Sequence, residues 1–308
     1  MAWRSWFGVA AVLSLGTASA RAGVVQEVRA LARAGALERA RSVLDTARTR
    51  GLAAPEELDA LSQLARGELQ AGHVDAALAD ARDVHARALL ELARRPLDAE
   101  PHLPLALGAA IEVEAQVMAA KGERGSAVAQ VRAEISRYGT TSLAARLHKN
   151  LHVLSLKGAL PPPLQTEPHL GPVVLPLSTP GGKPTLVFFW AHWCPDCKQT
   201  ALALARLREA GALRGFTLLA PTQLYGSVGG GAEATPEEEL KYVSAVWRSA
   251  YAGLGDVSVP VNPANFAAWG ASTTPTLVLI DRRGRVALYH PGAMTEAELQ
   301  PILAELLR

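Results

Sequence analysis

The chain has 308 residues and two cysteines, both in one stretch: Trp190-Ala191-His192-Trp193-Cys194-Pro195-Asp196-Cys197-Lys198. Two thiols separated by two residues can close a disulfide and reopen it, because the second can release whatever the first captures. That chemistry needs one sulfur held as a thiolate. Thr185 to Trp190 is β-branched and aromatic and reads as a buried strand. Pro195 suits the first turn of a helix, and Asp196 to Ala210 continues it without an internal proline. Cys194 thus falls at a helix N-terminus, where free N–H groups and the macrodipole favour the anion. Cys194 is expected to be the nucleophile and the more exposed sulfur. Cys197, one turn further in, is expected to resolve the mixed disulfide.

The stretch Phe189-Trp190-Ala191-His192-Trp193-Cys194-Pro195-Asp196-Cys197 resembles the thioredoxin superfamily. Within it, the similarity is to the TlpA/ResA-like extracytoplasmic thiol-disulfide oxidoreductases. It extends to about Arg308 and takes in Thr273-Thr274-Pro275-Thr276, which resembles the family's loop with a cis proline facing the cysteines. The resemblance implies an α/β thioredoxin-like C-terminal domain with a central mixed sheet flanked by helices. It also implies a cis Pro275 and a Thr274 backbone that pairs with a substrate strand. Trp193 becomes a candidate for substrate contact. Pro195 and Asp196, between the thiols, would tune the potential. Asp196 is a carboxylate beside two thiols and disfavours their ionisation, which points towards a reductase; Lys198 and His192 pull the other way. Protein dithiols or disulfides are the implied substrates, with an upstream electron donor and neither cofactor nor metal. Two positions depart from relatives: Thr200 stands where cytochrome-maturation types often carry a glutamate, and Phe188 where thioredoxin has a buried aspartate. The proton acceptor for Cys197 is left to Asp196 or solvent.

Hydrophobic residues make up 49% of the chain and the formal net charge is +2, so the chain can build a sizeable core and carries no nucleic-acid signature. Arg4, the apolar Trp6 to Leu15 and Ala18-Ser19-Ala20 read as a signal peptide cleaved after Ala20. The apolar run is short of the ~20 residues a membrane span needs. The mature protein is expected in a periplasm, without a later membrane span.

Residues 22–157 are rich in Ala, Leu, Arg and Glu and read as an all-α domain that could dock a protein partner. Gly35, Gly72 and Gly122 each precede a new amphipathic helix, with a small residue five positions on. This resembles the inter-helix turn of a tetratricopeptide repeat, although the marker aromatics are missing and the intervals unequal. His73, His85, His102, His148 and His152 read as solvent-exposed. Prolines crowd residues 158–184, giving a Pro-rich linker over 158–171 and, from 172 to 308, the thioredoxin-like domain, with an edge strand expected over 172–177. Tyr225 to Ala234 reads as a mobile glycine-rich insertion. Thr235 and Thr295 each open a helix with a capping box.

Two rival functions follow from the same residues. One is a copper carrier similar to the Sco proteins, using His192, the cysteines and His290; those proteins place three residues between the cysteines, against two here. The other is a helical scaffold whose thioredoxin-like domain only holds a partner, which an intact C-x-x-C argues against.

Overall fold

A computed structural model describes residues 23–173, 177 and 182–308. The expected signal peptide lies outside the described residues, as do three residues of the edge strand expected over 172–177.

Helices come first: α1 (Val24–Arg33), α2 (Leu37–Thr49), α3 (Ala54–Gln70), α4 (Val74–Leu92), α5 (His102–Ala120), α6 (Arg124–Tyr138) and α7 (Ala144–Ser155). The turns at Gly35, Gly72 and Gly122 join α1–α2, α3–α4 and α5–α6 and close alike. Each glycine has a positive φ, a region open to a residue without Cβ. The next residue's N–H donates back to the carbonyl of Leu31, Glu68 or Met118, the six-to-one bond of a Schellman motif. The small residues five positions on, Ala40, Ala77 and Ala127, are fully buried. Helix α5 packs against α3, α4, α6 and α7. It is long and apolar enough to cross a bilayer by composition, and here that apolarity serves the bundle centre.

Three of the histidines expected in solvent are instead engaged. His85 pairs with Glu114 at 3.1 Å and His102 with Asp59 at 3.0 Å. Nε2 of buried His152 lies 2.9 Å from the carbonyl of Ala268, across the boundary to the C-terminal part. A buried ring needs such a partner, and nothing in helical periodicity identifies it.

The C-terminal part contains β1 (His169–Leu170), β2 (Thr185–Phe189), α8 (Pro195–Glu209), β3 (Thr217–Leu219), α9 (Pro236–Ala250), β4 (Val259–Pro260), α10 (Pro263–Ala268), β5 (Thr276–Ile280), β6 (Val286–Pro291) and α11 (Glu296–Leu307). The main sheet has the order β3-β2-β5-β6, with β2–β3 parallel and the other pairs antiparallel. Strand β1 pairs antiparallel with β4, and single bridges from Leu219 to Ser258 and Thr222 to Val261 join that pair to β3. The mixed sheet flanked by helices is the one expected.

Beyond their first threonines, Thr185 and Thr276, strands β2 and β5 are apolar because both their faces are covered. Leu186, Phe188, Leu277 and Leu279 share a core with Leu204 of α8 and with Leu299 and Leu303 of α11. The alternate residues Val187, Phe189, Val278 and Ile280 pack with Phe266, Trp269 and Leu156, the residue that ends α7. The helical part thereby contributes a side chain to the sheet's second core. The proline-rich segment is extended and tied down. The Gly158 N–H donates to the Val286 carbonyl at 2.7 Å, Trp269 Nε1–H to Pro163, and Gln165 exchanges two hydrogen bonds with Asn265.

Candidate functional site

Cys194 is the N-cap of α8, and Pro195 occupies the first turn. Cys194 and Cys197 are joined as a disulfide with their Cα atoms 5.3 Å apart. The Cys197 N–H donates to Sγ of Cys194 at 3.0 Å, the contact that would favour a thiolate there once the bond is reduced. The Thr274 carbonyl lies 3.5 Å from the same sulfur, and the Thr274–Pro275 bond is cis. The two cysteines and the proline loop, some eighty positions apart in the chain, therefore meet at one point.

The sulfurs are less open than expected: Cys194 is 1% exposed and Cys197 fully buried. Both belong to the core that contains Trp190 and Ala191. Trp193, by contrast, is 56% exposed, a large apolar surface beside the disulfide that suits contact with an incoming chain. Asp196 and Lys198 are exposed, and Thr200 is buried with its hydroxyl unpartnered.

Trp190 is welded to the end of β3. Its indole N–H donates to the Ala220 carbonyl at 2.9 Å, and its own carbonyl accepts from the Thr222 hydroxyl. This holds the segment leading to Cys194 against the sheet.

His192, two residues before Cys194, lies in the interior. It is 2% exposed, and its Nε2 lies 3.1 Å from Oε1 of Glu239, which is fully buried. The same carboxylate accepts the N–H groups of Tyr225 at 2.6 Å and Gly226 at 2.7 Å. The rings of Tyr225 and Tyr242 pack edge-on against His192, and Tyr225 also meets Trp193. Burial pushes the Tyr225 phenol up from its ordinary value, so it stays protonated. The glycine-rich insertion is thus pinned to the loop ahead of Cys194. Sequence reasoning did not single out Glu239, the third acid in the first turn of α9. Its spacing of four from buried Val243 was the available signal for an inward face.

The copper reading needs His290 near the cysteines. His290 pairs with Leu277 within the β5–β6 hairpin, and no group of three potential metal ligands occurs among the described residues.

Residues 177–307 match the family model of the thioredoxin-like domain. This part of the chain is a thioredoxin-like domain. Solved structures similar to it include a putative thiol:disulfide interchange protein DsbE from Chlorobium tepidum, 27% identical with a TM-score of 0.32, covering 48% of this chain and 91% of that one. The exposed lipoprotein thioredoxin Etrx1 of Streptococcus pneumoniae is 26% identical with a TM-score of 0.32, covering 42% and 90%. MTB DsbF, solved in mixed oxidised and reduced forms, is 20% identical with a TM-score of 0.33, covering 41% and 81%. No curated protein matches the chain significantly.

Proposed function

We propose that the protein is an exported thiol–disulfide oxidoreductase acting on other exported proteins. One observation carries the reading: the disulfide at the first turn of α8, with its outer sulfur against the cis Thr274–Pro275 loop and its inner N–H aimed at that sulfur. In the reductive direction the Cys194 thiolate attacks a substrate disulfide and forms a mixed disulfide, releasing one substrate thiolate. Cys197 then attacks Sγ of Cys194. The second substrate thiol leaves, and the enzyme keeps the disulfide. Two electrons pass to the substrate, and a separate dithiol donor restores the enzyme. Thr274 aligns the substrate backbone, Trp193 covers its apolar part, and Pro195 and Asp196 set the potential. Export rests on the signal-like first twenty residues, and docking by the helical domain on its three tetratricopeptide-like turns.

The test is a trap. Cys194→Ser abolishes reduction of insulin, and Cys197→Ser accumulates mixed disulfides through Cys194. Recovery of no trapped species from the second variant would remove Cys197 from its role. The direction is tested by equilibration with glutathione. The exposed Asp196 carboxylate opposes ionisation of the thiols, so the potential is expected at about −200 mV or below. A value near the strongly oxidising limit of about −120 mV would reverse the assignment.

A further inference from the structure

Two adjoining clefts, of about 650 and 820 Å³, lie between the helical domain and the loop leading to Pro275. They share Arg29, Arg33, Gln63, Arg66, Lys149 and Thr273 as lining. Thr273 is the neighbour of Thr274, whose carbonyl touches the reactive sulfur. The far wall of the first cleft is the end of β6, Tyr289 to Pro291, and the Gly292 N–H donates to the Pro275 carbonyl. The clefts therefore open on the stretch of backbone that faces the disulfide.

Their charge is one-sided. Glu112 is surrounded by Arg66, Arg146 at 3.5 Å and Lys149 at 3.0 Å. Burial would raise its pKa, but the three cations outweigh burial and hold the carboxyl down at about 2. One carboxylate cannot neutralise three cations. Arg29 and Arg33 add two more and have no ion-pair partner among the described residues. Nε of Arg29 is buried with no hydrogen-bond partner. A buried guanidinium N–H without an acceptor is costly, and a carboxylate is the group that would satisfy it. Asp98 and Glu100 also line the second cleft but are engaged by the Ser142 hydroxyl and the Leu103 N–H, and with Glu112 they still leave Arg29, Arg33, Arg66, Arg146 and Lys149 in excess.

We propose that this basic cleft binds an acidic segment of the polypeptide whose disulfide is exchanged, so that the helical domain selects substrates by negative charge close to the reacting cysteine. The inference rests on the oxidoreductase reading for its substrate but not for its binding site. A chain lying across Thr274 advances roughly 3.3 Å per extended residue, so side chains a few residues from its cysteine enter the cleft past Thr273 and Ser272. A small polyanion would meet the same cations but would gain nothing from the adjoining loop.

Binding is measured first, on the full mature chain, with a fluorescent cysteine-free peptide carrying five glutamates and its five-glutamine counterpart. The glutamate peptide is expected to bind at least tenfold more tightly at low salt, with most of the preference lost in 0.5 M NaCl, roughly as screening requires. Arg29→Glu/Arg33→Glu is expected to erase the preference, and Arg29→Gln/Arg33→Gln to reduce it. Citrate displacing the peptide at concentrations comparable to the peptide's own dissociation constant would overturn the polypeptide assignment. Equal binding of the two peptides to the wild type would overturn the proposal whatever the variants do. Exchange is measured second, with disulfide-containing versions of both peptides. A rate ratio of at least ten in the wild type that falls to about one in the charge-reversed variant supports selection. Exchange of neither peptide, alongside intact charge-dependent binding, would count against the oxidoreductase reading and leave the cleft standing.

Discussion

At the scale of single residues, the site is a buried disulfide flanked by one exposed aromatic and one concealed histidine–carboxylate contact. The cysteines announce themselves through type and spacing, while Trp193, Pro195, Asp196, Thr274 and Pro275 become candidates through the resemblance to the thioredoxin superfamily. Glu239 does neither, since its partner His192 is 47 positions away and a glutamate in a first turn is ordinarily a solvated cap charge. Its three bonds make it the anchor between the insertion and the loop before Cys194. Glu239→Ala should therefore cost about 3–5 kcal/mol, because it leaves two N–H groups and an imidazole without their acceptor. Urea unfolding of the full chain checks this, and a loss under about 1 kcal/mol would mean water replaces the carboxylate. Trp193→Ala should behave oppositely. The ring is mostly in solvent, so stability should stay within about 0.5 kcal/mol, while the KM for a protein disulfide rises and that for a small one does not. An unchanged KM for the protein substrate would exclude the ring from contact.

At the scale of elements, strand and helix boundaries followed from local rules wherever the rule had one dominant cause. The capping boxes at Thr235 and Thr295 form as their sequences specify, and the apolar runs of β2 and β5 are strands covered on both faces. The turns at Gly35, Gly72 and Gly122 were legible for the same reason, since a Schellman closure needs a residue without Cβ. What stayed hidden was the docking of elements. The proline-rich segment read as a linker because composition describes stiffness and not hydrogen bonds. Its bonds to Asn265, Trp269 and Val286 depend on a fold assembled from distant residues. Gly270 illustrates the point: it has φ +63°, and a Cβ there would lie 2.2 Å from the backbone nitrogen of Lys149 in α7. Neither side can yield cheaply, because the obstacle is main chain. Gly270→Ala should destabilise the protein by about 1–3 kcal/mol and loosen α7 from α10. Hydrogen exchange localised to those two helices tests it, and protection unchanged at both would show that the contact is dispensable.

At the scale of the whole molecule, the helical bundle and the thioredoxin-like domain share a core through Leu156 and a polar contact through His152, so the basic cleft has a wall from each. The contact should respond to acid. Burial lowers the pKa of His152 below its ordinary 6.5; the Ala268 carbonyl opposes that shift, and His148, 6.1 Å away between ring centroids, reinforces it. A histidine with a depressed folded pKa is neutral in the native state. It contributes its full stability above about pH 6.5 and loses it as pH falls towards the depressed value, because the unfolded or undocked form takes up the proton first. His85 runs the other way. The bond to Glu114 raises its pKa against the pull of burial, so its contribution is complete below pH 6.5 and declines as pH rises through the raised value. Acidification from pH 7.5 to 5.5 should therefore loosen the seam between the domains while leaving the bundle interior firm. Hydrogen exchange should rise at α10 and along 158–165 but not in α4 or α5. His152→Gln keeps a side-chain N–H for the Ala268 carbonyl and removes the titrating group, so the seam should become indifferent to pH across that range. Equal acid sensitivity in the wild type and His152→Gln would assign the effect to another group, and uniform loosening of the bundle would show that the two domains respond as a single unit.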